Sequence, residues 1–277
     1  MKLKFYKYQG AGNDFLIADN RDASIELSAG QIASICDRRY GVGADGLMLL
    51  ENCEGYDFRM VYYNSDGSGG MMCGNGGRCI VAFAADMGIE QFGFIAADGP
   101  HYAEIILDNG AEKTVRLQMK DVEVCYHYDG LGDVTVPSDG YFLDTGTRHF
   151  VRIVESVDEY DIVTEGREIR YKAAQLQPIG ANVNYLEQCE GFIKVRTYEK
   201  GVEDETFACG TGIVASCIAA YKYGVKPSDT DGAAVIYDVM AKHDRLSVSF
   251  VPSSGIIAEQ VYLTGPAAFI AEIYIDL

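Results

Sequence analysis

Positive charge is scarce in this 277-residue chain. Its 23 Lys and Arg stand against 41 Asp and Glu, a formal net charge of -18. Nucleic-acid binding needs clustered Lys and Arg to neutralise phosphates, so no nucleic-acid partner is expected. No five like charges run together, and the acidity reads as a solvated surface rather than a tail. Long apolar runs are missing as well. The longest, Cys79 to Ala85, is far short of a bilayer span, so no membrane partner is expected. Met1-Lys2-Leu3-Lys4-Phe5 alternates like a strand and has no apolar signal-peptide core; the expected address is cytoplasmic.

The metal-binding patterns are lacking too. Eight cysteines occur at 36, 53, 73, 79, 125, 189, 209 and 217, with no Cys-x-x-Cys pair, and the four histidines are scattered. A structural zinc site is not expected, and free thiols are favoured over a disulfide framework in a chain of this size. Proline numbers only 6, and no Pro- or Ser-rich linker marks a domain boundary.

Two matching stretches stand out against these absences. Met72-Cys73-Gly74-Asn75-Gly76-Gly77-Arg78-Cys79 and Ala208-Cys209-Gly210-Thr211-Gly212 each put a cysteine before Gly-x-Gly and a small, apolar segment. The segments end at Gly88 and Gly224, both 15 residues after the cysteine. Asn64 precedes Cys73 by nine residues, as Lys200 precedes Cys209. Each half therefore reads as strand, polar loop, cysteine, buried helix, which predicts two similar α/β units related by a pseudo-twofold axis.

Elsewhere, alternation predicts strands at 3–8, 15–18, 47–50, 58–63, 141–144, 149–154, 192–198, 246–250, 260–263 and 268–275. Ser28 is a predicted N-cap for a helix carrying Ile32, Ile35 and Cys36 and ending near Tyr40-Gly41. Asp108-Asn109-Gly110 predicts a hairpin within 101–119, with a domain boundary near 120. Thr264-Gly265-Pro266 reads as a turn.

A helix N-terminus carries partial positive charge and unpaired N–H groups; it favours a thiolate and binds carboxylate. Two such termini could present two thiols to one carbon acid. One thiolate would remove the α-proton and the opposing thiol would return one on the other face, with no metal or organic cofactor required by the arrangement. Spacing alone leaves the alternative open that these cysteines are buried packing residues, the reading given to Cys79 and Cys217.

Six motifs, in order along nearly the whole chain, resemble those of diaminopimelate epimerases. They are Gly10-Ala11-Gly12-Asn13-Asp14-Phe15, Arg39-Tyr40-Gly41-Val42-Gly43-Ala44-Asp45-Gly46, Asn64-Ser65-Asp66-Gly67-Ser68, Met72 to Cys79, Ala181-Asn182-Val183-Asn184, and Ala208 to Gly212. The resemblance implies an α/β (α+β) fold of two pseudo-symmetric domains, each a curved, mostly antiparallel sheet around a central buried helix, with the active site between them. The expected domains are 1–119 plus 266–277, and 120–265.

The same resemblance implies a cofactor-independent isomerase acting on a small amino acid, interconverting LL- and meso-2,6-diaminopimelate, with a homodimer a possible assembly. Cys73 and Cys209 would be the acid–base pair. Gly74, Asn75, Gly210 and Thr211 would bind the carboxylate at the reacting centre, and Asn13, Asn64, Asn182 and Glu199 would bind substrate.

Two departures fall on the distal end of the substrate. The family's Tyr-Glu-Arg-Gly reads Tyr198-Glu199-Lys200-Gly201, and its Gly-Asn-Pro-His reads Gly146-Thr147-Arg148-His149. Lysine cannot reproduce a bidentate guanidinium fork. Thr147, Arg148, His149 and Lys200 are therefore candidate distal-site residues, with Arg148 expected either to replace the missing guanidinium or to accompany a changed amino acid substrate. Proline racemase-like enzymes usually have His after Met-Cys-Gly, where this chain has Asn75. A thiol redox or anion-binding protein is the non-enzymatic alternative.

Overall fold

The computed structural model describes residues 2–70 and 72–276. The outermost residues of the expected N-terminal domain, Met1 and Leu277, lie outside the described residues. The chain divides into one unit of Met1–Gln118 with Thr264–Leu277 and a second of Met119–Leu263.

The first unit is built from β1 (Lys2–Gly10), β2 (Asn13–Asp19), α1 (Ala29–Cys36), β3 (Gly46–Glu51), β4 (Phe58–Asn64), α2 (Gly74–Asp86), β5 (Phe92–Ala96), β6 (Gly99–Asp108) and β7 (Glu112–Gln118). The chain's last strand, Ala258–Asp276, returns to it. Successive pairs run antiparallel (β1–β2), parallel (β2–β3), antiparallel (β3–β4), parallel (β4–β5) and antiparallel (β5–β6, β6–β7). The last strand pairs with both β7 and β1, which closes the ring. Among the described residues closure leaves no edge strand in this unit, and α2 packs against β1, β2, β3, β6 and β7.

The second unit contains β8 (Val124–Tyr128), β9 (Gly140–Asp144), β10 (Arg148–Val154), α3 (Ile162–Lys172), β11 (Asn182–Gln188), β12 (Ile193–Glu199), β13 (Asp204–Thr206), α4 (Gly210–Lys222), β14 (Asp229–Asp231), β15 (Ala234–Met240) and β16 (Arg245–Pro252). The succession repeats: β9–β10 antiparallel, β10–β11 parallel, β11–β12 antiparallel, β12–β15 parallel, β15–β16 antiparallel. In both units the first parallel pair is bridged by an outer helix (α1, α3) and the second by the buried one (α2, α4).

The buried helices match at both ends. Cys73 and Cys209 are their extended N-cap residues, and each helix runs 13 residues. Gly88 (φ 82°) and Gly224 (φ 79°) take the left-handed position that follows. Gly88 N donates to Ala85 O and Ile89 N to Ala84 O; Gly224 N donates to Tyr221 O and Val225 N to Ala220 O. These are two Schellman caps, which satisfy the last carbonyls of each helix. Ile80, Val81, Phe83, Ile213, Val214 and Ile218 are buried all round their helices. Each large side chain contributes about 1.5–3 kcal/mol of burial.

Several features differ from the sequence-based expectations, among them strands β5, β8, β11 and β15, which the alternation does not predict. Helix α1 ends at Cys36, four residues early, although Ser28 caps it with a reciprocal Gln31 box as expected. Thr264-Gly265-Pro266 is no turn: the last strand runs through it, with Gly265 opposite Val115 and Pro266 opposite Thr114. Pairing with β1 begins only at Ala268, so the N–H that Pro266 lacks is needed by no ladder on that side. Helix α3 was not expected. Asp161 caps it, and Gly166 interrupts its pattern because a Cβ there would lie 2.5 Å from Tyr198 Cβ.

Candidate active-site elements

In the first unit, Cys73 Sγ accepts a hydrogen bond from Gly76 N at 3.3 Å. The sulfur thus satisfies one of the N–H groups left open at the start of α2. Gly74, Asn75, Gly76 and Gly77 are buried. The β1–β2 hairpin turns through Ala11 (φ 51°) and Gly12 (φ 87°), which brings Asn13 to the helix start. Asn75 Nδ2 donates to Asn13 Oδ1. Asn13 Nδ2 donates to Asp45 Oδ2 at 3.0 Å. Asn64 ends β4, and its Nδ2 donates to Ser68 Oγ at 3.0 Å within the 64–69 loop.

Arg78, given no role from the sequence, is fully buried. Its guanidinium folds back along α2, donating to Gly74 O at 3.2 Å, Asn75 Oδ1 at 3.0 Å and Pro266 O at 3.3 Å. A lone charge inside an otherwise apolar helical run was the signal that could have found it.

In the second unit, Cys209 makes no side-chain cap bond to the helix backbone. Its sulfur instead lies 3.5 Å from Thr211 Oγ1. Thr211 Oγ1 lies 3.0 Å from both Thr147 Oγ1 and His149 Nε2, and Thr147 Oγ1 lies 2.9 Å from His149 Nε2. Gly146 (φ 97°) makes the tight β9–β10 hairpin that places Thr147 here.

The hydrogen bonds behind His149 set its tautomer. Asn184 Nδ2 donates to Phe150 O at 3.2 Å and to His149 Nδ1 at 3.1 Å, while Asn184 Oδ1 accepts from Thr197 Oγ1 at 2.9 Å. Nδ1 is therefore an acceptor, which puts the ring proton on Nε2, where the Thr147 and Thr211 hydroxyls are the near partners and Asn182 Nδ2 lies farther off at 3.4 Å. Burial pushes the imidazole pKa down to about 3, so the ring is neutral. The chain Asn184, His149, Thr147 and Thr211 runs in hydrogen-bond contact to the Cys209 sulfur.

Asn182, also buried, donates to Arg148 O at 3.1 Å and accepts from Lys200 N at 2.8 Å. It joins the first residue of β10 to the turn after β12. Glu199 closes β12 and accepts from Thr206 Oγ1 at 2.9 Å. Among the described residues, Lys200 Nζ meets no hydrogen-bond or ion-pair partner. His149 is thus enclosed in the hydroxyl network rather than open to a ligand.

Arg148 lies elsewhere. Alternation along β10 sends it to the face opposite Thr147 and His149. It donates to Leu176 O at 3.3 Å, and its guanidinium sits 4.9 Å from the Phe142 ring centre. Strand geometry therefore aims Arg148 at the α3-side core, away from the Thr147–His149 face where a replacement for the distal guanidinium was expected.

The site elements occupy equivalent places in the two units: the β1–β2 and β9–β10 hairpins, the ends of β4 and β12, and the starts of α2 and α4. A sequence profile described as diaminopimelate epimerase matches residues 5–123. The chain is 41% identical over 274 residues to a diaminopimelate epimerase of Flavobacterium psychrophilum, covering 98% of this chain and 99% of that one. The chain belongs to the diaminopimelate epimerase family. A family member from Chlorobaculum tepidum is 40% identical over 263 residues, covering 93% of this chain and 95% of its own. The family's fold extends to distant solved structures. A Bacillus anthracis phenazine biosynthesis protein of the PhzF family superposes with TM-score 0.74 at 15% identity, over all of both chains. A hydroxyproline epimerase from Agrobacterium vitis superposes with TM-score 0.68 at 14% identity, over 100% of this chain and 93% of that one.

Cys79 and Cys217 sit fully buried inside α2 and α4, and burial pushes both thiols well above their ordinary range. They are packing residues. No described helix is long and apolar enough to cross a membrane.

Proposed function

We propose that this chain inverts the α-carbon of an amino acid, converting LL- to meso-2,6-diaminopimelate, with Cys73 and Cys209 as the two bases. The observation that carries the reading is the duplication: each unit puts a cysteine at the N-cap of a buried, glycine-opened helix, at the same point of the same strand succession. One sulfur, as thiolate, takes the α-proton. The pair of electrons left on carbon delocalises into the substrate carboxylate, which the N–H groups of Gly74, Asn75, Gly210 and Thr211 stabilise. The other sulfur, as thiol, gives its proton to the opposite face. Carbon ends inverted, and the two sulfurs end with their protonation states exchanged.

Asn13 and Asn64 supply polar contacts from the first unit, and Glu199 and Lys200 from the second. Lys200 offers an ammonium to the distal carboxylate, with its backbone held by Asn182. Thr147 supports the Cys209 network rather than presenting an amide.

The second reading is a racemase of a different amino acid on the same fold. It is favoured by Lys200 and Thr147 in place of the family's usual Arg and Asn. Turnover of LL-diaminopimelate, measured beside lysine, ornithine, glutamate and proline, separates the two. Epimerisation of diaminopimelate with rates at least a hundredfold below it for the others supports the first; activity on a single-centre amino acid alone overturns it.

A further inference from the structure

Two asparagine amides stand in series in the first unit, and each is tied at its outer end to a charged side chain. Arg78 Nη2 lies 3.0 Å from the Asn75 amide, and Asp45 Oδ2 lies 3.0 Å from the Asn13 amide. Between them the two amides meet each other. An amide can flip and exchange its oxygen for its nitrogen, but the ends of this chain cannot. Guanidinium only donates, so Asn75 must turn Oδ1 to Arg78 and Nδ2 to Asn13. Carboxylate only accepts, so Asn13 must turn Nδ2 to Asp45 and Oδ1 to Asn75. Both ends agree on one polarity. The opposite polarity would place donor against donor at Arg78 and acceptor against acceptor at Asp45.

Each end is itself fixed. Arg78 is buried and held by Gly74 O and Pro266 O. Asp45 is paired with Arg38 at 2.6 Å, which also binds Asp14; Asp14 pairs with Lys7 at 2.7 Å. Asn13 is half-buried, and its second amide N–H has no partner among the described residues.

We infer that Arg78 and Asp45 are positioning residues that lock the polarity of the Asn75–Asn13 pair, so that Asn13 offers the substrate a hydrogen-bond donor and the site selects a carboxylate over a carboxamide. The inference rests on the proposed function, since it needs an amino acid substrate at this helix start. It adds a source of specificity distinct from the proton-transfer thiols.

The test compares wild type with Asp45→Asn, measuring KM and kcat for LL-diaminopimelate and for its two monoamides, after wild-type turnover of diaminopimelate is established. Wild-type inactivity would count against the proposed function and not against the polarity lock. In Asp45→Asn the outer end of the pair no longer rejects the flipped Asn13 amide, and the orientation rests on Arg78 alone, acting through Asn75. The expected result is a KM for diaminopimelate raised roughly tenfold with kcat within about threefold. The preference for acid over one monoamide should fall by a similar factor. Arg78→Lys, which keeps the charge and loses the fork, should shift the same preference in the same direction if the variant keeps the wild-type circular dichroism. An unchanged acid-over-amide preference in folded Asp45→Asn overturns the inference. So does an equal loss of kcat on acid and amides, which would make Asp45 merely structural.

Discussion

His149 Nε2 stands 3.0 Å from the hydroxyl of Thr211, and that hydroxyl stands 3.5 Å from the sulfur of Cys209. With Nδ1 accepting from Asn184, the imidazole proton faces the hydroxyls that reach the sulfur. His149→Leu removes the donor and costs the Asn184 amide its bond to the ring. Epimerisation should fall by roughly a hundredfold or more in kcat. The pH midpoint for alkylation of Cys209 should rise. An unaltered midpoint would mean that the network does not act on the thiol.

The same residue sets an acid limit on stability. An unfolded His titrates near 6.5 and the buried one at about 3. Below the unfolded value the unfolded chain binds the extra proton, so stability is fully present above about pH 6.5 and drains away as pH falls toward about 3. Wild type and His149→Leu should therefore differ in the slope of unfolding free energy against pH across that window, with the variant flatter. Urea melts at pH 7, 6, 5 and 4 measure the difference; equal slopes would contradict a neutral buried imidazole.

Gly212 has no room for a side chain. A Cβ there would meet Asn184 Oδ1 at 2.5 Å and His149 Cε1 at 3.2 Å. Gly212→Ala should destabilise the second unit by about 1–3 kcal/mol and lower kcat more than tenfold by displacing the Asn184–His149 pair. Thermal melts and steady-state rates on the purified variant report both effects.

Much of this arrangement was legible from the residues. The buried helices declared themselves because Ile80, Phe83, Ala84 and Met87 lie at helical spacing among further apolar residues, and the Schellman glycines sat where that spacing ends. The His149 network was not legible, because a histidine between strand residues carries no sign of which face it takes or which hydroxyl it meets. Arg148 was misplaced because neighbours in a strand point to opposite faces, and only the fold shows that its face meets Phe142 and Leu176 while Thr147 and His149 meet Thr211. Helix α3 was masked by Gly166, whose close approach to Tyr198 is a tertiary fact. The Gly265-Pro266 pair suggested a break that the strand pairing does not require.

Gly88 and Gly224 close the buried helices at φ 82° and 79°. Neither position has an atom within 4 Å of an added Cβ, so alanine there is strained only in the backbone. Each Gly→Ala change should cost about 1 kcal/mol and leave kcat and KM unchanged. Lost activity at full folding would show that helix termination reaches the site.

The account's central claim is that two sulfurs, one from each repeated unit, act on the two faces of one carbon. Its most direct test follows Cα-deuterium incorporation and stereochemistry for LL-diaminopimelate in heavy water with wild type, Cys73→Ala and Cys209→Ala. The account predicts that wild type inverts the centre with solvent deuterium entering the product, and that each alanine variant loses inversion. Undiminished inversion in either variant would contradict it.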